Sequence, residues 1–422
     1  MLDKQHRITC SPIADAAIGL IFVLGLTAVM ANAQTYSVIY NFTGGQDGST
    51  PKAGVTLDEA GNLYGTTATG ASFSGNCNPI GGCGTVFELK RRSSGWLFNP
   101  LYTFQFSDGA SPWARVVFGP EGLLYGTTTY GGNVNQFCSA FPGPGCGVVF
   151  SLQPPATVCK TALCPWNERL LYKFTGGIDG SFPGYGDLVF DQSDNLYGTN
   201  PGGQNGVVYE LSPSGDGETF NVLYTFSNSG WFYNNQGAGV ILDPAGNLYG
   251  AVQGGGPYGG GAAYELTPSS PYWTFTALHN NTGLSNGGLM RNSAGHLYGT
   301  TEWGGAYGGG TVYELSPSNG GWTFSTLYNL SGSSGSNAVL IMDAVGNLYG
   351  TTLLDGAYGQ GNVFKLIPSN GEWLYTSLHD FTGGSDGSQP YGQVTLDANG
   401  NLYGTASIGG PDNKGVVWEI TP

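Results

Sequence analysis

The chain has 422 residues, of which only 10% are charged, and its formal net charge is −15. That acidity repels phosphate backbones and no basic stripe interrupts it, so nucleic acid is excluded as an expected partner. Glycine accounts for 74 residues without a collagen triplet, yet 13% of the chain is aromatic and short apolar runs recur throughout, which excludes a fibre and a disordered chain and leaves a tightly turned all-β protein.

The first predicted element is not part of the fold. Lys4 and Arg7 precede an apolar run from Ala16 to Met30, and Ala31-Asn32-Ala33 follows before Gln34. This is the order of a secretory signal peptide with an A-x-A cleavage site. A membrane anchor would need about 20 apolar residues, and Cys10 lies ahead of the run, the wrong place for a lipoprotein cysteine. The reading is a signal peptide over residues 1–33 and one domain over residues 34–422. The mature chain is expected to be secreted or periplasmic, with no membrane span after cleavage. Removing the signal deletes Asp3, Lys4, Arg7 and Asp15 together, so the net charge is unchanged.

One phrase then recurs seven times: Leu-Tyr-Gly with its tyrosine at Tyr64, Tyr125, Tyr197, Tyr249, Tyr298, Tyr349 and Tyr403. By subtraction the tyrosines are 61, 72, 52, 49, 51 and 54 residues apart, a period that belongs to propeller blades rather than to shorter solenoid units. The two long intervals contain the cysteines that later repeats lack. Cys77 and Cys83 fall in the first, and Cys138, Cys146, Cys159 and Cys164 in the second. An even count in an exported chain favours disulfides between near neighbours, Cys77 with Cys83, Cys138 with Cys146 and Cys159 with Cys164. Zinc is the rival, disfavoured because no histidine is close in sequence.

The stretch from Val339 to Phe381 shows one repeat in full. An apolar run, Val339 to Met342, leads through Asp343-Ala344-Val345-Gly346-Asn347 as a hairpin into a second strand from Asn347 to Thr352. Asn362 to Leu366 reads as a third strand. A turn at Pro368-Ser369-Asn370-Gly371 leads to a fourth, Trp373 to Phe381. Continuous apolar strands suit a sheet packed on both faces, and the glycine after each tyrosine is expected where adjacent sheets approach closely. The N-terminal segment Tyr36 to Phe42 matches the fourth strand, while Gly415 to Thr421 matches the third. The fold class is therefore an all-β, seven-bladed β-propeller of four-stranded blades, its ring closed by Tyr36 to Phe42 pairing beside Val416 to Ile420.

Gly-Asn-Leu-Tyr-Gly-Thr-Thr, then a double glycine, then Gly-Thr-Val-Tyr-Glu-Leu-x-Pro, resembles the GloVer tandem repeat of Gloeobacter and Verrucomicrobia. The best copies are Asn347 to Thr352 and Gly310 to Pro317. The resemblance spans the whole mature chain and implies an exported bacterial protein of unestablished activity. Some members carry a C-terminal surface anchor; no apolar tail or basic cluster precedes Pro422, so anchoring is not expected here. A weaker similarity to kelch propellers supports the strand grouping and implies nothing about activity.

Candidates for chemistry are few. His6 leaves with the signal, His279 and His379 occupy a position held by tyrosine in other repeats, and His296 replaces a turn asparagine. Glu88, Glu210, Glu265, Glu314 and Glu419 recur at one strand position, and Asp58, Asp191, Asp243, Asp343 and Asp397 open one hairpin, so both sets read as structural. Glu302 breaks the pattern and is the one carboxylate to test for catalysis. Asp47, Asp108, Asp179 and Asp386 recur in short glycine loops; calcium favours clustered oxygen ligands, but each loop has one carboxylate, so the residues read as turn formers and no cofactor is expected.

The remaining signal is aromatic. Tyr130, Tyr258, Trp303, Tyr307 and Tyr358 lie in loops after the second strand, and Trp113, Tyr185, Trp231 and Tyr391 in loops entering the inner strand. In a propeller both sets emerge on one face, where aromatic rings suit stacking on sugars or holding peptide segments. The leading expectation is a non-enzymatic, monomeric binding module for a glycan or an extracellular protein. A lyase or hydrolase acting on polysaccharide or a lactone is the enzyme alternative, and a structural surface or matrix repeat protein is the third.

Overall fold

The computed structural model describes residues 34–138, 144–156, 165–202, 206–215, 217–226, 239–253, 261–270, 272–281, 287–336 and 338–422. Seven four-stranded antiparallel sheets form a ring of blades. Blade 1 consists of Thr56–Leu57, Leu63–Thr67, Thr85–Arg92 and Gly95–Thr103, and each later blade repeats that order of inner, second, third and outer strand. Every inner strand is two residues long and pairs with its Leu-Tyr-Gly strand, as in Thr56 opposite Tyr64 and Val117 opposite Tyr125.

Blade 7 is closed by the N-terminal segment. Thr35–Asn41 lies antiparallel to Val416–Thr421, with Tyr36 opposite Ile420 and a bulge between Val38 and Tyr40. Phe42 just beyond is buried and meets Phe87 and Phe98 of blade 1 edge-on, with ring centroids 5.3 and 6.3 Å apart. One segment thus completes the last sheet and fastens it to the first.

The side-chain pattern explains why the blades pack. Leu63–Thr67 is buried along its whole length, as expected for a strand covered on both faces. The glycine after the tyrosine answers to a different neighbour from the one expected. Gly65 pairs with Phe87 across the same sheet, and a Cβ there would come within 2.5 Å of the Phe87 ring. Gly404 stands in the same relation to Trp418, at 2.3 Å. The missing side chain therefore lets an aromatic ring of the third strand fold over the second strand of its own blade.

Between blades, rings stack from one outer strand to the next. Tyr40 stacks on Phe98, Tyr172 on Phe220, Tyr224 on Phe275 and Tyr328 on Tyr375, with centroids 4.6, 4.2, 4.8 and 4.5 Å apart. His279 stacks on Phe324 at 4.1 Å, and His379 on Tyr36 at 3.6 Å. Both histidines are therefore half-buried ring spacers between outer strands, and burial lowers the proton affinity of each. His296 instead pairs with Glu314, Nδ1 to Oε1 at 2.6 Å.

The two periodic acidic sets converge on the repeat tyrosine. Tyr249 Oη lies 3.2 Å from Asp243 and 2.9 Å from Glu265, and Tyr403 Oη lies 3.3 Å from Asp397 and 3.0 Å from Glu419. The hairpin aspartate also accepts from turn amides, as Asp243 does from Ala245 and Asn247. Disulfides join Cys77 to Cys83 and Cys138 to Cys146, which removes the zinc reading for these four; Cys159 and Cys164 lie outside the described residues.

Candidate functional site

Counting back from the inner-strand residue that faces each repeat tyrosine shows what reaches the ring axis. In blades 7, 1, 2 and 3 those residues are Thr395, Thr56, Val117 and Val189. Four positions earlier stand Tyr391, Lys52, Trp113 and Tyr185, and two positions earlier Gln393, Gly54, Arg115 and Asp187. Extended chain returns to the same face every second residue, so the eight make two tiers around one axial cup of about 470 Å³. Gln253 and Glu302, from the loops after the second strands of blades 4 and 5, line the opposite arc with Val339 of blade 6. Isolated bridges such as Ala110 with Tyr130 and Ser388 with Ile408 tie the entering loops to the loops after the second strands, which brings both loop sets to one face.

In the first tier the Lys52 ammonium lies 3.7 Å from the Trp113 ring centroid and 5.5 Å from that of Tyr391, a cation–π arrangement. Burial pulls its pKa down to about 8. Trp113 meets Tyr185 edge-on at 5.3 Å and rests on Tyr130 at 5.9 Å. The Tyr391 hydroxyl is held above the usual phenol range by burial and then by the negative charge of Glu302.

The second tier is tied across the axis. Arg115 donates from Nε and Nη2 to Asp187 Oδ2 at 2.9 and 2.7 Å, and from its backbone N–H to Oδ1 at 3.2 Å. Gln393 Nε2 donates to the same Oδ2 at 3.1 Å. Asp187 is therefore saturated by groups from blades 2 and 7. Glu302 accepts from the Ser334 hydroxyl at 3.0 Å through Oε1.

The aromatic candidates divide accordingly. Trp113, Tyr185 and Tyr391 line the cup. Tyr130 is buried and supports Trp113 from behind. Trp303, Tyr307 and Tyr358 are exposed, Trp303 at 42%, and stand outside the cup lining. Trp231 and Tyr258 lie outside the described residues. Glu302 does reach the axis, whereas the loop aspartates serve their own turns: Asp47 accepts from the Thr43 amide at 2.8 Å, Asp179 from Thr175 at 2.7 Å, Asp386 from Thr382 at 2.9 Å and Asp108 from Gln105 at 2.8 Å. Among the described residues no group of three or more His, Cys, Asp or Glu is placed to hold a metal ion.

Sequence reasoning missed Lys52, Arg115, Asp187, Gln253 and Gln393. The usable signal was register, since Lys52 sits at the same distance from its repeat tyrosine as Trp113, Tyr185 and Tyr391 do from theirs.

Among solved structures, a putative 6-phosphogluconolactonase from Bacteroides uniformis aligns with 14% identity and a TM-score of 0.50, over 82% of this chain and 89% of its own. The polysaccharide lyase Uly1 aligns with 10% identity and a TM-score of 0.50, over 94% of each chain. At these identities the likeness concerns the fold alone. No curated protein sequence matches the chain. The model of the Gloeobacter/Verrucomicrobia repeat matches residues 18–239 and 234–422. Taken with the seven Leu-Tyr-Gly blades, that match makes this chain a member of the Gloeobacter/Verrucomicrobia repeat family.

Proposed function

We propose that the mature chain is an exported propeller that binds carbohydrate in its axial cup. The observation that carries this is the division of the cup into two arcs. Trp113, Tyr185 and Tyr391 give blades 7 to 3 an aromatic surface, set among Lys52, Arg115, Asp187 and Gln393, and Gln253 and Glu302 stand opposite beside Val339. A sugar has an apolar ring face and a rim of hydroxyls, so it can stack on the first arc and hydrogen-bond to the second. A volume of about 470 Å³ suits a small-molecule site, for which about 300–1,000 Å³ is usual.

The same geometry favours binding over hydrolysis by a pair of carboxylates. Among the described residues the cup is lined by two carboxylates, and Asp187 is already saturated by Arg115 and Gln393. The exposed Trp303, Tyr307 and Tyr358 stand in the loops of blades 5 and 6, outside the cup lining, and offer apolar faces for further units of a chain.

Titration calorimetry of the mature protein against oligosaccharides, following a glycan-array screen, tests the reading. Trp113→Ala and Tyr391→Ala should each weaken binding about tenfold, equivalent to about 1.4 kcal/mol. Unchanged affinity in both variants, or no glycan bound by folded protein, would overturn it.

A further inference from the structure

We infer that the cup selects a monoanionic sugar, a uronate or a sulfate ester, whose negative group docks on the Lys52 ammonium while its hydroxyls face Gln253 and Glu302. The inference rests on the carbohydrate reading and adds the charge of the ligand.

Of the two cations that line the cup among the described residues, Arg115 is held in an ion pair and Lys52 is not. Arg115, on the same face one blade away, is paired with Asp187 at 2.7 Å. Lys90 pairs with Glu88, Arg91 with Glu419 and Arg169 with Glu218, and Lys173 donates to the Ser107 carbonyl at 2.8 Å. Lys52 is different. Among the described residues it has aromatic rings for neighbours and neither a hydrogen bond nor an ion pair, although its side chain is drawn into the cup. A half-buried ammonium has three N–H donors to satisfy, and burial already disfavours its charged form. An anion entering the cup would meet them.

The arrangement also sets the charge and orientation of that anion. Arg115 cannot contribute its fork because Asp187 already occupies it, so a single positive charge is available. One ammonium balances one negative charge; a phosphate dianion would leave the second facing Glu302 and Asp187. Lys52 belongs to blade 1 and Glu302 to blade 5, so the cup is cationic on one side and anionic on the other. An acidic sugar is thereby held one way round. The net charge of −15 repels long polyanions, whereas a short acidic oligosaccharide entering the cup meets the local cation within the screening length of about 8 Å.

The test pairs uronate oligosaccharides with their carboxyl-reduced neutral partners, and adds sulfated oligosaccharides as a separate arm, all titrated calorimetrically into the mature protein. The acidic or sulfated member should bind at least tenfold tighter than its neutral partner. Lys52→Met should abolish that preference with Tm retained, and Lys52→Arg should keep it. The preference should also fade above pH 8 in the wild type and persist in Lys52→Arg. Equal binding of charged and neutral partners, with Lys52→Met indistinguishable from wild type, overturns the anion inference and leaves the carbohydrate reading standing. If neither series binds to folded protein, the carbohydrate reading itself fails. The sulfated arm separates the two anion classes: the class that loses affinity in Lys52→Met is the ligand class.

Discussion

Glu168 occupies an outer-strand position where the other six blades carry an aromatic ring: Phe98, Phe220, Phe275, Phe324, Tyr375 and Tyr36 all pair with the same apolar position of the third strand, as Glu168 does with Leu152. The stack between blades is therefore missing between blades 1 and 2. Burial, and then the charge of Asp108, push the Glu168 carboxyl up to about 7, and its Oε1 is buried without a hydrogen-bond partner among the described residues. A folded-state pKa above the unfolded value means that the ionised group costs stability, most fully above pH 7, and that the cost fades as the pH falls. Glu168→Phe, which restores the repeat residue, should raise Tm at pH 8, and Glu168→Gln should raise it less; both gains should shrink by pH 5. Thermal melts at the two pH values check this, and a lower Tm for both variants at pH 8 would contradict it. Glu168 was hard to see in the sequence because the insertion carrying Cys159 and Cys164 precedes its strand and obscures the alignment of that repeat.

At the scale of elements, the closing strand was legible because Ile39-Tyr40-Asn41-Phe42 follows the Leu-Tyr-x-Phe pattern of the outer strands of blades 1, 2 and 3. Deleting residues 36–42 would expose the hydrogen-bonded edge of Val416–Thr421, and the loss of buried Phe42 would leave a void against Phe87. Loss of one buried phenylalanine side chain alone typically costs about 3–5 kcal/mol. The deletion should therefore lower Tm markedly or give aggregates by light scattering, and a monodisperse variant with the parent's Tm would remove the closure argument. The cup was much less legible than the blades. Repetition marks what each blade needs, whereas Lys52, Arg115, Asp187 and Gln393 each differ from the residues at their own position in neighbouring blades. Tyr130 shows the reverse error, since its aromatic loop position suggested a surface contact, but the loop folds beneath Trp113.

For the whole molecule, acid stability follows from groups distributed around the ring. His279 and His379 are held below the usual histidine range by burial, the second despite the opposing pull of Asp386. A depressed histidine pKa means that the unfolded chain takes up protons first, so stability falls as the pH drops below about 6.5. Asp191, Asp243, Asp343, Asp386 and Asp397 form a second step. Burial opposes their ionisation, but hydrogen bonds from turn amides and neighbouring side chains outweigh it and hold them below the ordinary range. Their contribution is present above about pH 4 and is lost as the pH falls through their folded values. The paired substitution His279→Tyr with His379→Tyr, supplying the residue found in other repeats, should leave the second step and remove the first. The Tm advantage of the double variant over the wild type should grow between pH 7 and pH 5; a constant difference would place the loss elsewhere.

Thr35 lies directly opposite Thr421 in the sheet that closes the ring. Antiparallel ladder bonds run perpendicular to their strands, so tension applied through those two residues loads the bonds one after another, starting from the pair at the end. The domain resists spreading of its blades through the packing of the whole ring, yet it can be peeled open from this single seam.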